Sequence, residues 1–223
     1  GQERLAALDE AIGASGQNAL STPWEEVRDF FHYCDNYIDA VDRAAERFAC
    51  PAGQRLDPWD AGVAALAQRG IRVTRAELPA NAVFRRAGSD IQVNAAAERP
   101  TQLFQLLHLV ALERQADLLD ATLDLARFRS QTARDVARVG LANYFAGAAL
   151  MPYRAFLAAA QAERHDLERL AHLFGASLEQ VAHPDRLARH PDRAATGPSH
   201  EVCGIGVVGI EVDHGEGSGP PLR

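Results

Sequence analysis

Apolar residues recur at three- and four-residue steps through Val27, Phe30, Phe31, Cys34, Ile38, Val41, Ala45 and Phe48, the period of an amphipathic helix. Thr22, Pro23 and Glu25 mark its start: a capping hydroxyl, a proline suited to the first helical position, and a carboxylate that completes a capping box. The pattern predicts one long helix from Thr22 to about Ala49, stopped by Pro51 and Gly53. Asp57 and Pro58 open another, through Ala61 and Leu66 to a stop at Gly70. Beyond Gly70 the period shortens. Ile71, Val73, Val83, Ile91 and Val93 belong to short alternating runs, and Ala87-Gly88-Ser89-Asp90 reads as a hairpin turn, so about three strands are expected. From Pro100 to His183 the spacing is helical again, with breaks expected near Ser130, Gly140, Pro152 and Gly175. Residues 2–13 fit a short helix and Gly13 to Ser21 a linker. The last forty residues are rich in proline and glycine; only Val202 to Val212 is apolar enough for a strand, and the rest reads as poorly ordered.

Composition narrows the function classes. The 223 residues, 47% apolar and 24% charged, lie in the ordinary globular range. No run of about 18 apolar residues occurs, and the opening GQERLAALDEAIG has no cleavable apolar core. All 23 basic residues are arginine, and the net charge of -7 argues against this segment being the main nucleic-acid contact, which needs a basic face. Cys34, Cys50 and Cys203 stand far apart with no C-x-x-C pair, which fits a reducing cytoplasm and makes a weak case for a zinc or cluster site.

Two segments carry the chemistry. The first is FQLLHLVALE, Phe104 to Glu113; the second is LANYFAGAALMPY, Leu141 to Tyr153. A zinc peptidase helix of the H-E-x-x-H kind places two histidines one turn apart on one metal, with a glutamate beside the first as general base. His108 is present. Leu109 stands where that glutamate would be and Leu112 where the second histidine would be.

Pro23 to Ala49, the His108 helix, and Val139 to His183 together resemble the bacterial short-chain fatty acyl transcriptional regulators. These join an Xre-type helix-turn-helix to a domain resembling the ImmA/IrrE metallopeptidases. The resemblance implies an α+β, mostly helical, zincin-like core with a small three-stranded sheet and a C-terminal helix-turn-helix-like subdomain. In the active peptidases a glutamate directly before an Ala-Asn pair completes the zinc site; Leu141 holds that place here. A lone imidazole cannot hold zinc at useful affinity, so zinc is not expected and catalysis is not implied. The implied effector is a short-chain acyl-CoA of propionate, acetate or glyoxylate metabolism, and promoter DNA would be bound by an N-terminal domain upstream of Gly1. The ligand-lining candidates are His108, Leu109, Leu112, Leu141, Asn143, Tyr144 and Tyr153. Replacing metal ligands by leucine turns a polar cleft apolar, which suits a short acyl chain.

The implied organisation is a linker over 1–21, a degenerate peptidase-like effector domain over 22–153, a helical segment over 154–183 and a divergent tail over 184–223. The long helix from Pro23 would couple to the DNA-binding domain or pair two chains as a homodimer. Plainer readings stand beside each candidate. His108 and Phe145 can be core residues, Asn143 a helix-to-helix hydrogen bond, and Tyr144 and Tyr153 packing residues. Arg85, Arg86 and Arg154 can meet a CoA phosphate or face solvent. Asp117, Asp120 and Asp124 share a face that reads as solvated. His165 to His183 has helix-turn-helix spacing, but its second helix offers Ser177, Glu179 and Gln180 and no arginine, which fits packing better than base reading. The competing functions are a zinc-dependent peptidase and a ligand-free structural dimerisation module.

Overall fold

Thr22 starts the first helix as its side chain predicts. Its hydroxyl accepts from the Glu25 N–H at 3.3 Å, and the Glu25 carboxylate takes the Thr22 N–H at 2.7 Å. This is α1, Pro23–Tyr33. The computed structural model describes residues 22–182; the expected helix over 2–13, the linker and everything after Ala182 lie outside them.

The single helix expected from Thr22 to Ala49 is two. A turn separates α1 from α2, Asp39–Ala49, with Asp35 and Asn36 both in the left-handed region at φ 49° and 54°. Aspartate and asparagine tolerate that conformation better than other side chains. The turn closes through the Asn36 N–H on the Phe31 carbonyl at 2.9 Å and the Tyr37 N–H on the Cys34 carbonyl at 2.8 Å. The turn leaves both helices with one face inward, burying Val27 and Phe31 on α1 and Val41, Ala44 and Ala45 on α2.

Asp57 caps α3, Pro58–Ala67, accepting from the Trp59 and Asp60 N–H groups at 2.9 and 3.0 Å. Three strands follow: β1 Arg72–Ala76, β2 Phe84–Ala87 and β3 Asp90–Asn94. Their order is β1-β3-β2, with β1 parallel and β2 antiparallel to β3. The expected turn lies between Ala87 and Asp90, with Gly88 at φ 60°. Ile91 and Val93 face the core, and Asn94 ends β3 buried. The Asn94 amide donates to the carbonyls of Leu78, Pro79 and Ala82, and its oxygen accepts from the Ala96 and Leu78 N–H groups. One side chain thereby fixes the β1–β2 connection.

The centre is a pair of helices, α4 Arg99–Arg114 and α6 Gln131–Leu150, with α5 Ala116–Ala126 between them in sequence. The break expected near Gly140 is absent, because α6 runs straight through it. A Cβ at Gly140 would lie 2.9 Å from the Phe31 ring, so the glycine lets α1 approach. Pro152 does end α6, and α7, Tyr153–Ala162, follows. Asp166 caps α8, Leu167–Phe174; Gly175, at φ 63°, ends it and leads to α9, Leu178–Ala182. Phe156, Leu170, Phe174 and Val181 join the same buried cluster as Leu106, Leu107, Leu141 and Phe145. The result is a mostly helical α+β fold with a small three-stranded mixed sheet, as expected.

Candidate functional site

The two chemistry-bearing segments face each other. His108, on α4, is 3% exposed, and its Nδ1 lies 2.8 Å from the Oδ1 of Asn143 on α6. An amide oxygen only accepts, so Nδ1 carries the proton and Nε2 is left with its lone pair. Burial pushes the imidazole below its ordinary pKa, with the Asn143 hydrogen bond opposing that shift. The ring is therefore neutral near pH 7, as a buried imidazole must be unless a countercharge meets it.

The leucines at the expected general-base and ligand positions are part of the core. Leu141 is fully buried, Leu109 is 3% exposed, and Leu112 is half-buried against the same cluster. Asn143 is half-buried, so the His108–Asn143 pair runs from the interior toward the surface. Tyr144 turns to another helix: its hydroxyl accepts from the Ile38 N–H and donates to Asp42 Oδ1, both at 3.3 Å. Tyr153 stands half-buried at the first position of α7. The structure thus joins His108 and Asn143 directly, sets Leu109 and Leu112 beside them on α4 and Leu141 on α6, and directs the Tyr144 hydroxyl at α2.

Sequence reasoning missed Gln105. It is a lone amide in the apolar run Leu103 to Leu112, 8% exposed and one turn before His108. Residues three and four apart share a helix face, so Gln105, His108 and Leu112 lie in line. The available signal was a glutamine three residues ahead of the histidine in an otherwise apolar stretch.

Other candidates resolve into surface or packing. Asp120 pairs with Arg134 and Arg138, and Asp124 lies 2.8 Å from Arg134. Arg86 pairs with Glu113, Arg85 is exposed, and the Arg154 backbone N–H donates to Glu46 at 3.2 Å. Cys34 and Cys50 are free thiols whose pKa values burial raises. Among the described residues no three His, Cys, Asp or Glu side chains gather to hold a metal ion, and no helix is long and apolar enough to cross a membrane. One surface hollow of about 430 Å³ is lined by Glu163, Arg169 and His172, and another of about 240 Å³ by Phe48, Leu56 and Arg114. Neither borders the His108–Asn143 pair.

A helical core on a small mixed sheet, with His108 and Asn143 paired between its two central helices, is the arrangement to set against known families. Residues 66–184, more than half of the chain, match the IrrE N-terminal-like domain family (peptidase M78), and the chain belongs to that family. It is 60% identical over 181 residues to a propionyl-CoA carboxylase regulator of Cereibacter sphaeroides, covering 81% of this chain and 39% of that protein. It is 41% identical over 170 residues to the HTH-type transcriptional regulator PrpR of Mycobacterium tuberculosis, covering 74% of this chain and 35% of that one. A solved Mycobacterium tuberculosis transcriptional regulator superposes with a TM-score of 0.69 at 37% identity, covering 77% of this chain and 54% of that one. The chain thus spans about two-fifths of the length of the curated relatives it matches.

Proposed function

We propose that this chain is the effector-sensing and oligomerisation portion of a DNA-binding transcriptional regulator that responds to a short-chain acyl-CoA, on a peptidase-like scaffold with no catalytic role. One observation carries the reading. Leu109, Leu112 and Leu141, at the positions where the family resemblance implies functional groups, pack into the core, while His108 stays beside them, neutral and tied to Asn143. An apolar seam with few polar groups suits a short acyl chain. The relatives support the regulatory part, since each is named a regulator and one is named for propionyl-CoA carboxylase.

The mechanism is a population shift: an acyl-CoA that binds one arrangement of the chain better than another changes DNA affinity by that difference and no more. Contact with promoter DNA belongs to a separate domain, because this segment carries a net charge of -7. The α1 helix, with Trp24 55% and Tyr33 89% exposed, is the candidate to pair with a second chain or to meet that domain. Thermal unfolding against acetyl-, propionyl- and butyryl-CoA tests the reading. A bound acyl-CoA at a hundredfold its Kd adds about 2.7 kcal/mol and raises Tm. No shift with any of the three would leave a ligand-free dimerisation module. One tightly held zinc with chelator-sensitive proteolysis would make the chain a peptidase.

A further inference from the structure

Two buried polar groups on α4 have no partner among the described residues. With Nδ1 of His108 donating to Asn143, its Nε2 keeps a lone pair, and among the described residues no donor reaches it. Gln105 is 8% exposed, and its side-chain amide has no partner among the described residues either. Native proteins leave few buried polar groups unsatisfied, and each exception calls for an occupant or a function. Here two exceptions sit one turn apart on one helix face, where side chains are about 5–6 Å apart at Cβ.

Their chemistry is complementary and specific. Nε2 of a neutral His108 is an acceptor and asks for an N–H or O–H. Gln105 can donate to a carbonyl. Cations are disfavoured by the apolar surroundings of Leu109, Leu112 and Leu141. A metal is disfavoured too, since among the described residues one nitrogen is the only strong ligand there. We infer that Gln105 and His108 form a two-point polar subsite for a neutral ligand segment carrying a carbonyl acceptor and, a few atoms away, an N–H donor. Resting on the acyl-CoA reading above, that segment is the thioester end of the effector: Gln105 holds the acyl carbonyl, and His108 accepts from the first amide N–H of the pantetheine arm. His108 then does not donate to the acyl carbonyl, which is the role a buried histidine beside a thioester would first suggest. Half-buried Leu112 and Asn143 place the subsite near the surface, and opening the α4–α6 seam to reach it is the rearrangement that binding would favour.

The test separates ligand binding from packing. Propionyl-CoA is titrated calorimetrically into the chain, Gln105→Met and His108→Leu, and each free protein is unfolded in urea. A structural role predicts that both variants lose stability and keep their affinity. The subsite predicts the reverse: Gln105→Met folds at least as stably as the parent because an unsatisfied amide has gone. Each variant binds about tenfold more weakly, the worth of one hydrogen bond to a desolvated partner. Gln105→Met, being close in shape to glutamine, keeps the test valid should His108→Leu fold poorly. Undiminished affinity in both variants overturns the subsite alone. No heat with propionyl-CoA or acetyl-CoA in the parent chain overturns the acyl-CoA reading, and the assignment of the occupant with it.

Discussion

Gly140→Ala adds one methyl group where α1 crosses α6, and its effect can be worked from the contacts. The new Cβ would stand 2.9 Å from Cε2 and 3.1 Å from Cζ of Phe31, well inside the 3.5–4.0 Å optimum for carbon atoms. Phe31 is 6% exposed, and its ring meets Phe30 edge-on at 5.1 Å, which in turn meets Phe128 at 5.4 Å. The ring therefore cannot withdraw without moving two others. Overpacking of this kind costs about 1–3 kcal/mol, while replacing glycine by alanine inside a helix returns about 1 kcal/mol. The expected net is a loss of about 1 kcal/mol, read from urea unfolding curves as a lower midpoint at unchanged slope. The decisive quantity is the coupling. In a Phe31→Leu background the clash is relieved, and Gly140→Ala becomes neutral or stabilising, a difference of about 1–2 kcal/mol between backgrounds. Equal effects in both backgrounds, or a stabilised single variant, would refute the close approach as the reason for the glycine.

Three further outcomes follow from the same structure. Because burial holds His108 below its ordinary pKa of 6.5, the unfolded chain takes up a proton that the folded chain refuses. Its contribution to stability is complete above about pH 6.5 and falls as the pH drops toward the lower folded pKa; His108→Leu should flatten the urea midpoint over that window, and parallel curves would count against a buried neutral imidazole. Asn94→Ala removes the amide that ties Leu78, Pro79 and Ala82 to the end of β3; a loss of about 2–4 kcal/mol is expected, with faster amide exchange in that connection, and a loss under about 1 kcal/mol would deny it a clamping role. Leu141→Glu puts a carboxylate at a fully buried position and should destabilise by more than about 3 kcal/mol; with Leu112→His added, zinc should recover part of that loss, and no response to zinc would mean that these positions do not converge on one metal.

The start and stop chemistry of the elements was legible because it is local. Thr22 with Glu25, Asp57 with Pro58, and the Gly88 turn each act within a few residues, and each sits where its residue types predict. What depended on distant contacts was not. The apolar spacing from Val27 to Phe48 hid the turn at Asp35–Asn36, because the two helices it joins bury the same side. The adjacent Asp-Asn pair was the only local sign. Gly140 was misread for a related reason: a helix glycine looks like a break until the ring it accommodates is known, and Phe31 lies more than a hundred residues away in sequence.

At the site, spacing located the His108 helix and the Leu141 segment but not the bond between them. Asn143 required a partner on chemical grounds, and the structure supplies His108 across the α4–α6 seam. Tyr144, its neighbour in sequence, is turned about 100° around the helix and so its hydroxyl serves α2. Gln105 escaped notice because one amide in an apolar run has no motif. Its significance comes from burial with no partner among the described residues, which only the packed structure reveals.

An acyl-CoA, and no metal, is the proposed occupant of the α4–α6 seam, and one titration tests it. Propionyl-CoA is added to the chain after exhaustive chelation, with heat and bound metal followed together. The expected result is saturable binding at one site per chain, weaker or absent with free CoA, and unchanged when zinc is returned. Absence of binding, or binding that appears only with zinc, would overturn that occupant.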